Sequence, residues 1–135
     1  MNRRLIVASI LALAPALVGP TTSAQDKQAH KKGGGESFIE LDPLSATIVR
    51  PDGRRGVMTV EVGIDVPDPA LHARAAQSTP RLLAAFSEVV RTYASGLAPM
   101  ALPSADYLSL RLQRATDLTL GRPGARLLIG NILVN

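Results

Sequence analysis

Val57-Met58-Thr59-Val60-Glu61-Val62-Gly63-Ile64-Asp65-Val66 alternates without a break between two sets of side chains. Met58, Val60, Val62, Ile64 and Val66 fall on one side of an extended chain, and Val57, Thr59, Glu61, Gly63 and Asp65 fall on the other, because successive residues of a strand point to opposite faces. One face is core and the other is wet, which is the pattern of an antiparallel sheet covered on a single side. Upstream, Pro51-Asp52-Gly53 supplies turn chemistry and closes a hairpin with an extended run at residues 44–50. Ser37-Phe38-Ile39-Glu40-Leu41 reads as a further short strand, stopped by Asp42-Pro43.

Downstream, Asp68-Pro69 and Thr79-Pro80 each place a capping side chain before a proline at the first helical position, so residues 68–95 read as two consecutive helices or one kinked rod. Leu82, Phe86, Val89 and Tyr93 make an apolar stripe, with Arg81, Ala84, Glu88, Arg91 and Ser95 opposite. After a loop at residues 96–103, Ser104 caps a third helix whose inner side carries Leu108, Leu112, Ala115 and Thr119, with Gly121 as its stop and Pro123 just beyond. Residues 107–112 also alternate in the strand period, but their Leu and Arg content favours helix. The closing run Leu127-Leu128-Ile129-Gly130-Asn131-Ile132-Leu133-Val134 is too apolar for an exposed edge. It must be covered, as an interior strand or at a partner interface. The elements predict an α+β fold, a small antiparallel sheet with two or three helices packed on one face.

The chain has 135 residues, 46% hydrophobic and 19% charged, which suits one folded domain and excludes a disordered chain. It contains no Cys and only two His, excluding disulfide frameworks, thiolate zinc sites, iron–sulfur clusters and Cys nucleophiles. No cofactor is implied. The net charge of +4 points at first to a polyanion. Five of the 15 basic residues, however, are Arg3, Arg4, Lys27, Lys31 and Lys32, and one of the 11 acids is Asp26, so residues 36–135 carry ten of each sign. A nucleic-acid-binding domain carries its positive charge on its own body, so nucleic acid is not an expected partner.

Residues 1–24 have the three parts of an export signal: Asn2-Arg3-Arg4, an apolar stretch at residues 5–18, and the small-residue box Thr22-Ser23-Ala24, with cleavage expected between Ala24 and Gln25. The two arginines fit either the general secretion route or the twin-arginine route. The apolar stretch is short for a membrane span. A mature chain in the bacterial periplasm is expected, with membrane attachment only where the N-terminal segment is retained. Residues 25–36 have the composition of a flexible linker, basic at first and then rich in Gly. Its Gly33-Gly34-Gly35 is followed by Glu36-Ser37 and lacks the Gly-Lys-Ser/Thr of a phosphate loop. His30 has no ligating neighbours in sequence.

Catalytic patterns are sparse. Glu61 and Asp65 share the polar side of one strand but stand about 13 Å apart along it, beyond the spacing of paired catalytic carboxylates. Glu40 or Asp42 would have to join them to hold a hard cation, and the spaced carboxylate loop of a calcium site is missing. His72 follows Asp68 in a first helical turn, where a carboxylate is expected for the helix dipole alone. A hydrolytic or small-ligand site would need His72, Asp68 and a serine such as Ser45 or Ser78 to meet by folding. Arg122, in Gly121-Arg122-Pro123-Gly124, and the turn residues Arg54 and Arg55 are candidate docking charges. Leu128, Ile132 and Val134 are the candidate contact residues of the closing strand. The expectation is a non-enzymatic interaction domain that self-associates or docks on an envelope protein.

Phe38-Ile39-Glu40-Leu41, Val60-Glu61-Val62-Gly63-Ile64-Asp65-Val66, the proline-led Pro80-Arg81-Leu82-Leu83 and the terminal hydrophobic strand together resemble the periplasmic domain of the flagellar basal-body-associated FliL family. The resemblance runs over residues 38–134. It implies a non-enzymatic, ring-forming adaptor domain, similar to stomatin-type domains, that sits near the flagellar stator. The chain departs from that family in residues 5–18, which are shorter than the family's permanent transmembrane helix and end in a cleavage box.

Overall fold

A computed structural model describes residues Gly35–Asn135. The expected export signal at 1–24 with its Ala24/Gln25 junction, His30, and most of the expected linker at 25–36 lie outside the described residues. Four strands and three helices follow in the order β1 (Phe38–Glu40), β2 (Leu44–Val49), β3 (Arg55–Asp65), α1 (Pro69–Gln77), α2 (Thr79–Ser95), α3 (Ala105–Leu120) and β4 (Arg126–Val134). This is the predicted α+β architecture, with an antiparallel sheet organised around β3.

The alternating stretch became β3, and its inward set Met58, Val60, Val62, Ile64 and Val66 is buried. β3 pairs antiparallel with every other strand. Because β4 spans Met58 to Asp65 in register, overlapping the partners of both β1 and β2, those two strands follow one another along the opposite edge of β3. They amount to one strand interrupted at Leu41-Asp42-Pro43, where proline cannot donate to the ladder. The hairpin between β2 and β3 forms as expected: Gly53 takes φ 78°, and Arg50 donates its N–H to the Arg54 carbonyl at 2.8 Å.

The core lies between the inner face of the sheet and the helices. Leu44, Ala46 and Ile48 of β2 join the β3 set, meeting Leu82, Phe86, Val90 and Ala94 of α2 and Leu108, Leu112, Thr116 and Leu120 of α3. Here the expected stripes need correcting. The buried seams advance by four residues at each step, whereas Val89, Tyr93 and Ala115 are only partly buried and pack against the core from the side. Each helix has two apolar neighbours, the sheet beneath and the other helix beside it, so its apolar arc is wider than one stripe.

Helix ends follow the sequence in most respects. Asp68 caps α1 by accepting the Leu71 N–H at 2.9 Å, Ser104 caps α3 through the Tyr107 N–H, and Gly121 ends α3 in the left-handed region. Thr79 is the exception. Its hydroxyl donates back to the Ala76 carbonyl at 3.0 Å, and the N-cap of α2 is Ser78, buried between the two helices.

β4 departs from the expected interior position as well. It is not an interior strand: β3 covers one edge and no strand among the described residues covers the other.

Candidate functional site

The edge of β4 is built from alternation. Val57 and Asn135 exchange both main-chain hydrogen bonds, at 2.9 and 3.0 Å, so the Asn135 main chain points to β3. By alternation Val134 and Ile132 turn their N–H and C=O groups outward. Between Val60 and Val62 the register slips, placing Gly130 and Asn131 opposite Glu61 alone. The Glu61 carboxylate accepts from both the main-chain N–H and the Nδ2 of Asn131, at 3.3 and 3.0 Å. Glu61 is therefore half-buried and engaged, and not a solvated acid of the open face as its sequence position suggested. On the other side of the bulge, Leu127 and Ile129 point outward, and there α3 intervenes. Gln113 accepts the Leu127 N–H at 2.8 Å and donates to the Ala125 carbonyl at 2.8 Å, as a further strand would.

That leaves the outer main chain of Ile129, Ile132 and Val134 without a partner among the described residues. The flanking side chains are apolar. Leu133 and Val134 are 51% and 47% exposed, while Leu128 and Ile132 are partly buried. The candidates Leu128, Ile132 and Val134 thus lie on one strand, with Leu128 on the open face and the other two in register with the core residues Val60 and Met58. Arg54 and Arg55 do not join them. Arg54 is exposed at the hairpin, where its N–H bonds to Asp52, and exposed Arg55 pairs in register with Val49 at the far edge.

The residues of a hydrolytic site are not brought together. Ser45 lies on the open face, 3.5 Å from the Thr59 hydroxyl, and Ser78 sits at the α1–α2 junction. Asp68 spends its Oδ2 on the Leu71 N–H and on Arg122, whose guanidinium lies 2.6 Å away. Those two contacts, the Leu71 N–H first, outweigh partial desolvation and hold the Asp68 carboxyl below the usual aspartate range. Arg122 is thereby placed on α1's cap, a partner its sequence setting did not reveal. The His72 Nε2 is buried with no hydrogen-bond partner. Asp65 accepts the Ser37 hydroxyl, and no cluster of His, Asp and Glu among the described residues could hold a metal ion.

A cleft of about 510 Å³ opens between the C-terminal end of α2 and the N-terminal end of α3, with Val89, Tyr93, Leu97, Tyr107 and Arg111 among its walls. Tyr93 and Tyr107 stack at 5.6 Å, the Arg111 guanidinium lies 5.9 Å from the Tyr107 ring centre, and the Tyr93 hydroxyl accepts the Ser104 N–H at 2.7 Å. Sequence reasoning passed over Arg111 and Gln113. The signal available for Gln113 was a polar side chain next to the buried stripe of an otherwise amphipathic helix.

No protein-family model matches this chain, and no curated protein matches it. No helix among the described residues is long and apolar enough to cross a membrane.

Proposed function

We propose that this protein is an exported, non-enzymatic interaction domain that takes up an extended segment of a partner along the open edge of β4. The observation that carries this reading is the unpaired outer main chain of Ile129, Ile132 and Val134 on a strand with apolar side chains. Natural edges are blunted by lysine, proline or inward charge, and β4 has none of these after Arg126. Gln113 guards that edge only at Leu127, and the bulge lies between the open residues Ile129 and Ile132. Main-chain bonds to an added strand supply affinity, and pockets for alternate side chains supply specificity.

The leader read in residues 1–24 supports a periplasmic setting, and the likeness to the FliL family supports an adaptor role. The partner strand then belongs to an envelope protein or to a second copy of this chain. The test compares the wild type with a Leu133→Lys/Val134→Pro variant, which alters exposed positions and gives up only an outward N–H. The wild type should self-associate, or co-purify stoichiometrically with one envelope protein, with slowed amide exchange at Ile129 and Ile132; the variant should do neither. A wild type that stays monomeric at high concentration, with unchanged β4 exchange in envelope extract, would overturn the reading.

A further inference from the structure

The outward side of α3 is a second surface, independent of β4. While Leu108, Leu112, Thr116 and Leu120 face the core, Tyr107, Leu110, Arg111, Arg114 and Leu118 share an arc of about 100° on the opposite side of the helix. Leu110 and Leu118 are 70% and 73% exposed, and Tyr107 is 48% exposed. Leucines on the back of such a helix add helix propensity, but most of their apolar surface stays in water. Between them stand two cations. Arg111 and Arg114 have no ion pair or hydrogen bond among the described residues. The two acids of the same helix are not paired with them: Asp117 accepts from the neutral Gln113 Nε2 at 3.0 Å, and Asp106 lies in the first turn.

The shape of this surface selects its occupant. A shallow groove of about 220 Å³ beside α2 is walled by Val89, Arg111, Arg114, Ala115 and Leu118, and Leu110 is not among its walls. A peptide seated in that groove would leave Leu110 in water. A broad, flat surface reaches the whole crest. The crest brings apolar side chains and two guanidinium groups to one outward face, and guanidinium groups pair with phosphates in bidentate fashion.

We propose that the outer crest of α3 docks on an anionic lipid surface, with Leu110 and Leu118 at the acyl boundary and Arg111 and Arg114 on headgroup phosphates. Co-sedimentation of the chain from Gln25, the form expected after cleavage, with vesicles of phosphatidylglycerol and phosphatidylcholine, against phosphatidylcholine alone, tests this at low and high salt. Residues 5–18 are then absent and cannot anchor the chain, and residues 25–34 are common to wild type and variants, so any difference belongs to α3. Near an anionic surface each basic residue contributes about fivefold in partitioning, so Arg111→Glu/Arg114→Glu should weaken binding by about 25-fold or more, with the thermal midpoint unchanged. Leu110→Ser/Leu118→Ser should weaken the part of the binding that survives high salt. Equal binding by wild type and both variants, or equal binding to neutral and anionic vesicles, overturns the proposal. So does binding to a polyglutamate peptide without binding to vesicles, which would assign the crest to an acidic protein.

Discussion

The side-chain amide of Gln113 lies against the main chain of Leu127 as a neighbouring strand would, with Oε1 accepting the Leu127 N–H at 2.8 Å. Its Nε2 bonds the Ala125 carbonyl at the same time, so one side chain of α3 satisfies a donor and an acceptor of the sheet's outer edge. The contact fixes how α3 and β4 meet after the turn at Gly121. It also divides the outer edge of β4 into a part sealed at Leu127 and an open part from Ile129 onward.

Replacing Gln113 by Leu keeps bulk but orphans both groups in a part-buried setting. The cost should be about 1–3 kcal/mol, because an unsatisfied buried polar group loses its full desolvation penalty. Gln113→Glu can still accept from Leu127, but it sets a carboxylate oxygen against the Ala125 carbonyl and Asp117 Oδ1, which Nε2 meets at 2.8 and 3.0 Å, so near neutral pH it should cost at least as much as Gln113→Leu. Thermal unfolding measures both losses, and amide exchange localises them, since the Leu127 N–H should lose protection in Gln113→Leu.

Gly63 is buried although it belongs to the open side of β3, because the Phe38 ring lies on it; a Cβ built there would come within 2.3 Å of that ring. Gly63→Ala should therefore displace Phe38 and loosen β1, costing about 1–3 kcal/mol as overpacking does. Phe38→Ala in the same background should cost less than it does in the wild type. A double-mutant cycle on thermal midpoints checks the coupling.

The strand core, the hairpin and most helix caps were legible because they depend on local chemistry: a period of two, a Pro-Asp-Gly turn, Asp68 before Pro69. What was not legible depends on neighbours distant in sequence. Val89 and Tyr93 look like core from spacing, yet the sheet selects Val90 and Ala94, since the side facing a flat layer is set by packing rather than by hydrophobicity alone. The apolar run at residues 127–134 revealed a need for cover but not which edge of the sheet would remain bare. Arg122 looked like a free turn charge because its partner, Asp68, lies 54 residues upstream.

The correction to the α2 stripe has its own test. Val90 is fully buried and Val89 is partly exposed between the helices. Val90→Ala should cost about 2 kcal/mol from lost methylenes and the cavity they leave, and Val89→Ala clearly less. Chemical denaturation of both variants decides it; equal losses would restore the stripe through Val89.

Asp68 sets an acid-side limit on stability. Its folded-state pKa is depressed, chiefly by the Leu71 N–H and further by Arg122, while in the unfolded chain it titrates near about 3.9. Its contribution is therefore fully present above that value and is lost as pH falls through the lower folded one. Asp68→Asn keeps a competent cap but has no charge to lose, so its stability should fall less steeply than that of the wild type below pH ~4. Arg122→Gln should raise the Asp68 pKa only part of the way, because the leading cause is the Leu71 N–H and not the guanidinium. Carboxyl-carbon NMR titration reads the midpoint directly, and a wild-type value at or above the ordinary aspartate one would refute the assignment.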